Sequence, residues 1–231
     1  MKLKLTRIKS ESPDVKSFIF KPSKPLVWTA GQYLHYMLHH ESTDDRGSDR
    51  WFTIASAPFE RHVMITTRFA RGKGKGSTFK NTLEALKIGE SIEISDDVDG
   101  DFIVQDRNRD YVFIAGGIGI TPFRSIIKEM QHKRIPLRVT LLYANRDAHV
   151  VYQKELERAA KHNPHLSIHY IFSPERIDQK TIKQLVPDLK TPLFYISGPE
   201  PMVESTGKLL QKIGIRKKQI KQDWFPGYPA D

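Results

Sequence analysis

Over the first hundred residues, apolar and polar positions alternate in short runs bounded by turn residues, at 3–8, 15–20, 33–38, 50–54, 63–69 and 91–94. A period of two, carried by β-branched and aromatic side chains, predicts antiparallel strands. One helix interrupts them. It starts near Ser77, with Phe79, Leu83 and Leu86 at helical spacing, and Gly89 reads as the left-handed residue just past its end. After the polar stretch 105–110 the pattern changes to apolar strand, turn and amphipathic helix, repeated. Strands are predicted at 111–115, 138–144, 166–172 and 193–197, with a short last one near Ile220, and helices near 122–132, 152–162, 178–186 and 200–213. Alternation of this kind favours a parallel sheet covered on both faces. The expected architecture has two domains: an antiparallel β-barrel over residues 1–106 and a doubly wound α/β sheet over 107–231.

Composition narrows the chemistry. With 231 residues, 39% apolar and 28% charged, the chain is an ordinary globular protein. No run approaches the ~20 apolar residues that cross a bilayer. The opening Met1-Lys2-Leu3-Lys4-Leu5 alternates like a strand, so a cytoplasmic location is expected, with peripheral attachment to a membrane surface left open. The absence of Cys excludes a disulfide framework, a thiolate nucleophile and an all-cysteine iron–sulfur cluster in this polypeptide. The net charge of +10 attracts anions: acidic redox proteins, lipid head groups, cofactor phosphates or nucleic acid. No zinc-type spacing and no basic tail interleaved with aromatics is present, so nucleic acid is disfavoured, and the irregular spacing of His35, His39 and His40 assigns no metal site.

Four segments carry candidate chemistry. Gly116-Gly117-Ile118-Gly119-Ile120-Thr121-Pro122 stands between an apolar strand and a helix, where glycines let the backbone approach a ligand and the helix N-terminus offers N–H groups to a pyrophosphate. A tight strand–helix turn would have the same glycines. Ser197-Gly198-Pro199-Glu200-Pro201-Met202 also ends a strand and begins a helix, and two such turns in one parallel sheet would flank a single crevice. In the first half, Arg50-Trp51-Phe52-Thr53-Ile54-Ala55-Ser56 offers a guanidinium for phosphate, an aromatic ring for a planar ligand and hydroxyls for a ring nitrogen, with Arg50, Phe52 and Ser56 expected on one strand face. An edge strand with a single charge is the plainer account of the same residues. Gly72-Lys73-Gly74-Lys75-Gly76-Ser77-Thr78 leads into the one helix of this half and reads either as a second phosphate cradle or as a flexible loop with a good cap.

In order and spacing these segments resemble the ferredoxin–NADP⁺ reductase-like superfamily over nearly the whole chain. The resemblance implies an N-terminal antiparallel Greek-key β-barrel that binds FAD and a C-terminal α/β domain that binds NADPH or NADH, in a module without an iron–sulfur domain. It implies that Arg50 binds the FAD pyrophosphate, that Trp51 and Phe52 border the flavin with Phe52 in place of the usual Tyr, and that Thr53 hydrogen-bonds near flavin N5. Ser56 joins that set. Gly74, Gly76, Ser77 and Thr78 would cradle the FAD phosphates. Gly116, Gly117, Gly119, Thr121 and Pro122 match the nicotinamide-dinucleotide loop, with Thr121 near the nicotinamide. Gly198, Pro199, Glu200 and Met202 match the second loop, with Ser197 where many relatives carry Cys. The tail Gln222-Asp223-Trp224-Phe225-Pro226-Gly227-Tyr228 is similar to tails in which an aromatic covers the flavin; Phe225 is assigned that role, Trp224 or Tyr228 being substitutes and simple anchoring of the terminus the plainer account.

The function so implied is that of a flavoprotein oxidoreductase: hydride passes from NAD(P)H to FAD, and electrons go on to a separate acceptor such as a ferredoxin, a flavodoxin or a membrane redox component, the charge favouring an acidic partner. A non-catalytic flavin-binding sensor or assembly subunit is the alternative. Arg146 and Arg176 are the residues positioned in sequence to meet a 2′-phosphate.

Overall fold

The computed structural model describes residues 1–40, 43–70 and 76–225. The chain divides into two compact units, Met1–Ile103 and Val104–Asp231.

The first unit contains β1 (Lys2–Ser12), β2 (Val15–Pro22), β3 (Tyr33–Met37), β4 (Asp49–Thr53), β5 (Val63–Arg68), the helix α1 (Thr78–Ala85) and β6 (Ser91–Ile94). All strand pairs are antiparallel, in the order β4-β3-β6-β1-β2-β5, so β6 crosses over to lie between β1 and β3. The sheet curls around a core that includes Leu3, Leu5, Phe18, Phe20, Leu34, Tyr36, Ile65, Phe79 and Ile92. Each such side chain contributes up to about 1.5–3 kcal/mol by leaving water. Its terminal strands, β4 and β5, do not pair as strands. Instead Ala55 N–H donates to Met64 O at 2.8 Å and Met64 N–H donates to Ser56 Oγ at 3.0 Å, so the segment after β4 joins the two ends.

Two local readings change. β1 runs on to Ser12, beyond the predicted Ile8, because a register shift between Leu5 and Arg7 breaks the alternation while pairing with β2 continues. Gly89 does take a left-handed φ of 100°, but the helix has already ended at Ala85. The glycine serves the turn in which Glu90 N–H donates to Lys87 O on the way into β6.

The second unit is a five-stranded parallel sheet of β7 (Asp110–Gly116), β8 (Arg138–Asn145), β9 (Leu166–Phe172), β10 (Leu193–Pro199) and β11 (Ile220–Phe225), in the order β11-β10-β7-β8-β9. Val112, Ile114, Phe194 and Ile196 pack against Ile182 of α4 (Gln179–Leu185) and Val203 and Leu210 of α5 (Glu200–Lys212). On the opposite face Phe113 stacks on Phe123 of α2 (Ile120–His132), with centroids 4.5 Å apart, and α2 contacts α3 (Gln153–His162). Strands buried on both faces read as continuous apolar runs, which is why their sequence signal is strong. After β7 the chain builds outward through β8 and β9, then returns to the other side of β7 for β10 and β11. The strand order therefore reverses between β7 and β10.

Candidate functional site

In the second unit, the glycine turn that follows β7 and the Ser197-Gly198-Pro199 end of β10 lie side by side at that reversal, the point where an open parallel sheet leaves a crevice at its carboxyl edge. Gly116 closes β7, Gly117–Gly119 form a 3₁₀ turn, and α2 begins at Ile120 with no side chain capping its first turn. The glycines serve different ends. Gly117 needs its freedom for a φ of 52°. Gly119 has an ordinary helical φ of −62°, but a Cβ there would lie 2.2 Å from Ser197 O and 2.6 Å from Gly198 N. The two turns touch backbone to backbone only because Gly119 has no side chain. A Cβ on Gly116 would meet Met202 Sδ at 2.1 Å, so the Met202 thioether fills the space that this glycine leaves, packed against the sheet.

Tyr143 on β8 donates from its hydroxyl to Gly117 O at 3.0 Å and tethers the turn from below. Ser197 Oγ donates to Asp223 Oδ2 at 3.0 Å across the β10–β11 register. Thr121 is buried in the first turn of α2, together with Pro122. Glu200 opens α5, where its carboxylate suits the helix dipole. Phe225 pairs with Pro199 at the end of β11, and Trp224, 54% exposed, pairs with Gly198. Tyr228 lies outside the described residues. Arg146 and Arg176 are exposed in the segments that follow β8 and β9, which are joined by Ser173 N–H donating to Asn145 O.

In the first unit Arg50 and Phe52 share the inward face of β4, opposite Tyr36 and Leu34, whereas Trp51 and Thr53 share the outer face, opposite His35 and Tyr33. Trp51 is 57% exposed and stacks on His35, which pairs with Asp49 at 2.6 Å. Phe52 packs on Tyr36 and on Phe79 of α1. The Arg50 guanidinium lies over the Phe79 ring, and its Nη1 donates to the carbonyls of Arg46, at 2.5 Å, Gly47, at 3.2 Å, and Asp49. Its Nη2 is enclosed and has no hydrogen-bond partner among the described residues. Ser56 departs from expectation. β4 ends at Thr53, and the fully buried Ser56 hydroxyl donates to His62 O at 2.6 Å while accepting from Met64 N, so it is a strut between strand ends.

Ser77 caps α1 by accepting from Lys80 N–H at 3.2 Å, and a Cβ on Gly76 would strike Asn81 Oδ1 at 2.3 Å. Gly74 lies outside the described residues. The first N–H of α1, from Thr78, goes to Asp44 Oδ2 at 2.9 Å, and Thr78 Oγ1 accepts from Asp44 N–H in return. Arg46 also donates to that carboxylate, at 2.6 Å, and together with the Thr78 N–H it holds the Asp44 carboxyl down at about 2. Lys80 sits in this first turn with Nζ donating to Arg68 O at 3.1 Å. Burial, then the neighbouring Arg50, Arg46 and Arg68, pull its ammonium down to about 8.

The family model for the oxidoreductase NAD-binding domain matches residues 113–208, the stretch that contains both turns at the strand-order reversal. The two-unit fold matches the flavohemoglobin-like FAD/NAD-binding domain of a nitric oxide dioxygenase from Vibrio cholerae with a TM-score of 0.81, at 21% identity and 98% coverage of each chain. The fold of this chain is therefore that of an FAD/NAD-binding reductase module, with the match to the oxidoreductase NAD-binding domain confined to the second unit.

A ferredoxin–NADP⁺ reductase from Neisseria gonorrhoeae with bound FAD and NADP superposes with a TM-score of 0.79 at 17% identity, covering 96% of this chain and 97% of that one. Among proteins similar in sequence, the flavohemoprotein of Bacillus subtilis is 27% identical over 93% of this chain and 56% of its own length. The reductase component of phenol 2-monooxygenase from Pseudomonas sp. (strain CF600) is 28% identical over 93% of this chain and 62% of its own length. The chain thus spans little more than half the length of these relatives. Asp44, Arg46, Lys80, Tyr143 and Asp223 lie against the candidate residues, a placement that the sequence did not disclose. None belongs to a glycine-rich turn, and no local spacing links them to one.

Proposed function

We propose that this chain is an NAD(P)H-dependent flavoprotein reductase, taking hydride from NADPH or NADH onto FAD and passing electrons to a separate acceptor. The observation that carries the reading is the approach of Gly119 to Ser197 and Gly198 at the strand-order reversal, the place at the carboxyl edge of an open parallel sheet where a glycine turn leading into a helix suits a dinucleotide pyrophosphate. The donor set of the first unit fits FAD in the same way. The enclosed Arg50 Nη2 lacks an acceptor, which a phosphate oxygen would supply.

FAD, when bound, supplies the two-electron to one-electron conversion that a reductase needs. The residues of this chain do the rest. Arg50, with Gly74, Gly76, Ser77 and Thr78, would hold the FAD phosphates. Phe52 and Trp51 would border the ring, and Thr53 would hydrogen-bond near N5. Gly116, Gly117, Gly119, Thr121 and Pro122, with Gly198, Pro199 and Glu200, would hold the nicotinamide dinucleotide. Phe225 would cover the flavin. These last assignments rest on the superfamily resemblance. Met202 and Ser56 enter only as packing and bracing for the turns around them.

A separate acceptor is supported by relatives that serve as components of larger systems, among them the reductase component of phenol 2-monooxygenase and the ferredoxin reductase component of a 3-ketosteroid-9-alpha-monooxygenase from Mycobacterium tuberculosis. The charge of +10 suits an acidic partner protein, by steering rather than by tight affinity. No helix among the described residues is long and apolar enough to cross a membrane. The test is an absorbance spectrum followed by anaerobic titration with each reduced nicotinamide. A yellow protein that bleaches supports the reductase. Persistent colour under both nicotinamides would make it a flavin-binding sensor or assembly subunit, and a folded protein that stays colourless in excess FAD would end the reading.

A further inference from the structure

We propose that the Tyr36 hydroxyl is a second donor to the FAD pyrophosphate, sharing one phosphate oxygen with Nη2 of Arg50; this rests on the flavin reading of the first unit. Tyr36 on β3 and Arg50 on β4 are direct cross-strand partners, so their side chains leave the hairpin on the same face. Each ends in an enclosed polar atom, Tyr36 Oη and Arg50 Nη2, with no hydrogen-bond partner among the described residues, and Tyr36 is fully buried. Such atoms are costly to leave unmatched. Buried hydroxyls elsewhere in the unit are bonded: Ser17 Oγ to Thr66 Oγ1 at 2.7 Å, and Ser56 Oγ to His62 O. The one further orphan of this unit among the described residues, His40 Nε2, stands three residues beyond the end of β3, so the unmet polar groups gather at one hairpin.

The chemistry of the pair selects the missing group. A phenol can accept as well as donate, so Tyr36 could serve Arg50 Nη2 directly, yet the two stand opposite one another unbonded. An oxygen that accepts from both meets the two needs at once. Burial holds the Tyr36 phenol well above its usual range, so the hydroxyl keeps its proton and donates. The walls beside the pair are aromatic: Tyr36 meets Phe52 edge-on with centroids 5.8 Å apart, Phe52 lies 5.8 Å from Phe79, and the guanidinium sits 5.4 Å over the Phe79 ring. In surroundings of low polarity a hydrogen bond to an anion is strong. In the empty protein Arg50 is held by Nη1, which donates to the carbonyl of Arg46 at 2.5 Å at the exposed surface. Water can take over that carbonyl when an anion draws the guanidinium away, and the same turn of the side chain opens the Tyr36 hydroxyl to the phosphate.

The sign of the effect separates this role from a structural one. Tyr36→Phe keeps the ring and removes only the hydroxyl. Without a partner in the empty protein, that hydroxyl is a burden, so the variant should melt about 2–4 °C higher than the flavin-free parent. It should nevertheless bind FAD about 10- to 100-fold more weakly, the range for losing one hydrogen bond to a charged group. Riboflavin, which lacks phosphate, should bind both proteins equally. Because one oxygen serves both donors, the losses in Tyr36→Phe and Arg50→Lys should not multiply: the double variant should bind FAD more tightly than the product of the two single losses requires.

The experiment is a fluorescence titration of the flavin-free chain and the three variants with FAD and with riboflavin, accompanied by thermal melts of the empty forms. Unchanged FAD affinity in Tyr36→Phe would overturn the role of Tyr36, as would an equal loss for FAD and riboflavin, which would assign the ring to packing. A lower melting temperature in empty Tyr36→Phe would mean that an ordered water already satisfies the hydroxyl, and losses that multiply would mean that the two donors serve different atoms; either overturns the shared oxygen. All four results leave the flavin reading intact, whereas a parent protein that binds no FAD would overturn both.

Discussion

Replacing Gly119 by Ala tests the contact on which the dinucleotide site depends. The backbone of Gly119 already has the φ of −62° that alanine prefers, so the substitution costs nothing in torsion. Its Cβ, however, would lie 2.2 Å from Ser197 O, 2.4 Å from Ser197 C and 2.6 Å from Gly198 N. These are backbone atoms at the end of a central strand and cannot rotate away. To restore van der Waals separation the turn and the strand end must part by about 1 Å. Overpacking of this kind costs about 1–3 kcal/mol, and a shift of about 1 Å in a positioning element can cost on the order of 100-fold in rate. Urea unfolding should show the first, and stopped-flow flavin reduction by NADPH or NADH the second. Gly117→Ala provides the contrast. Nothing lies within 4 Å of its would-be Cβ, and its φ of 52° makes the cost torsional, about 1 kcal/mol, with a smaller loss of rate. If Gly119→Ala reduces flavin as fast as the parent, or if the two variants lose rate equally, the close approach of the two turns is not what the site requires.

Three further outcomes are expected. Arg50→Lys keeps the charge but loses the guanidinium fork and its place over Phe79, so FAD affinity should fall about tenfold in fluorescence titration; equal affinity would separate Arg50 from phosphate binding. Glu155→Ala removes a carboxylate 2.9 Å from Nη2 of Arg124, a guanidinium 5% exposed and stacked over Tyr152, and should cost about 2–3 kcal/mol in urea unfolding, whereas a loss under 1 kcal/mol would mean that Arg124 is satisfied without it. Asp44→Ala should lower the melting temperature at pH 7. Because the Asp44 carboxyl is held at about 2, below its ordinary value, its contribution is complete above about pH 4 and fades as pH falls towards 2, so the parent and variant melting curves should converge there. A gap that persists at pH 2 would show that charge is not the source.

Most of the element pattern could be read along the chain, because strand and helix periods report which side chains leave water and that is a local property. β7 and β10 are visible as apolar runs flanked by turns, and α1 begins where Ser77 followed by a helical stripe places it. The misreadings are also local in origin. The polar end of β1 is held by pairing with β2, which leaves no apolar alternation to detect, and Gly89 is left-handed for a turn that the sequence does not distinguish from a helix end.

What the sequence determined by itself was the kind of turn available after each strand: glycines after β7, Ser-Gly-Pro at the end of β10, and a hydroxyl cap at α1. What only the tertiary structure decided was which atoms meet there. Gly117 and Gly119 are the same letter, and only the proximity of Ser197 separates a glycine needed for its φ from one needed for its missing side chain. Asp44, Arg50, Arg68 and Lys80 likewise come together around the start of α1 from four separate stretches of chain, a long-range choice that no local period records.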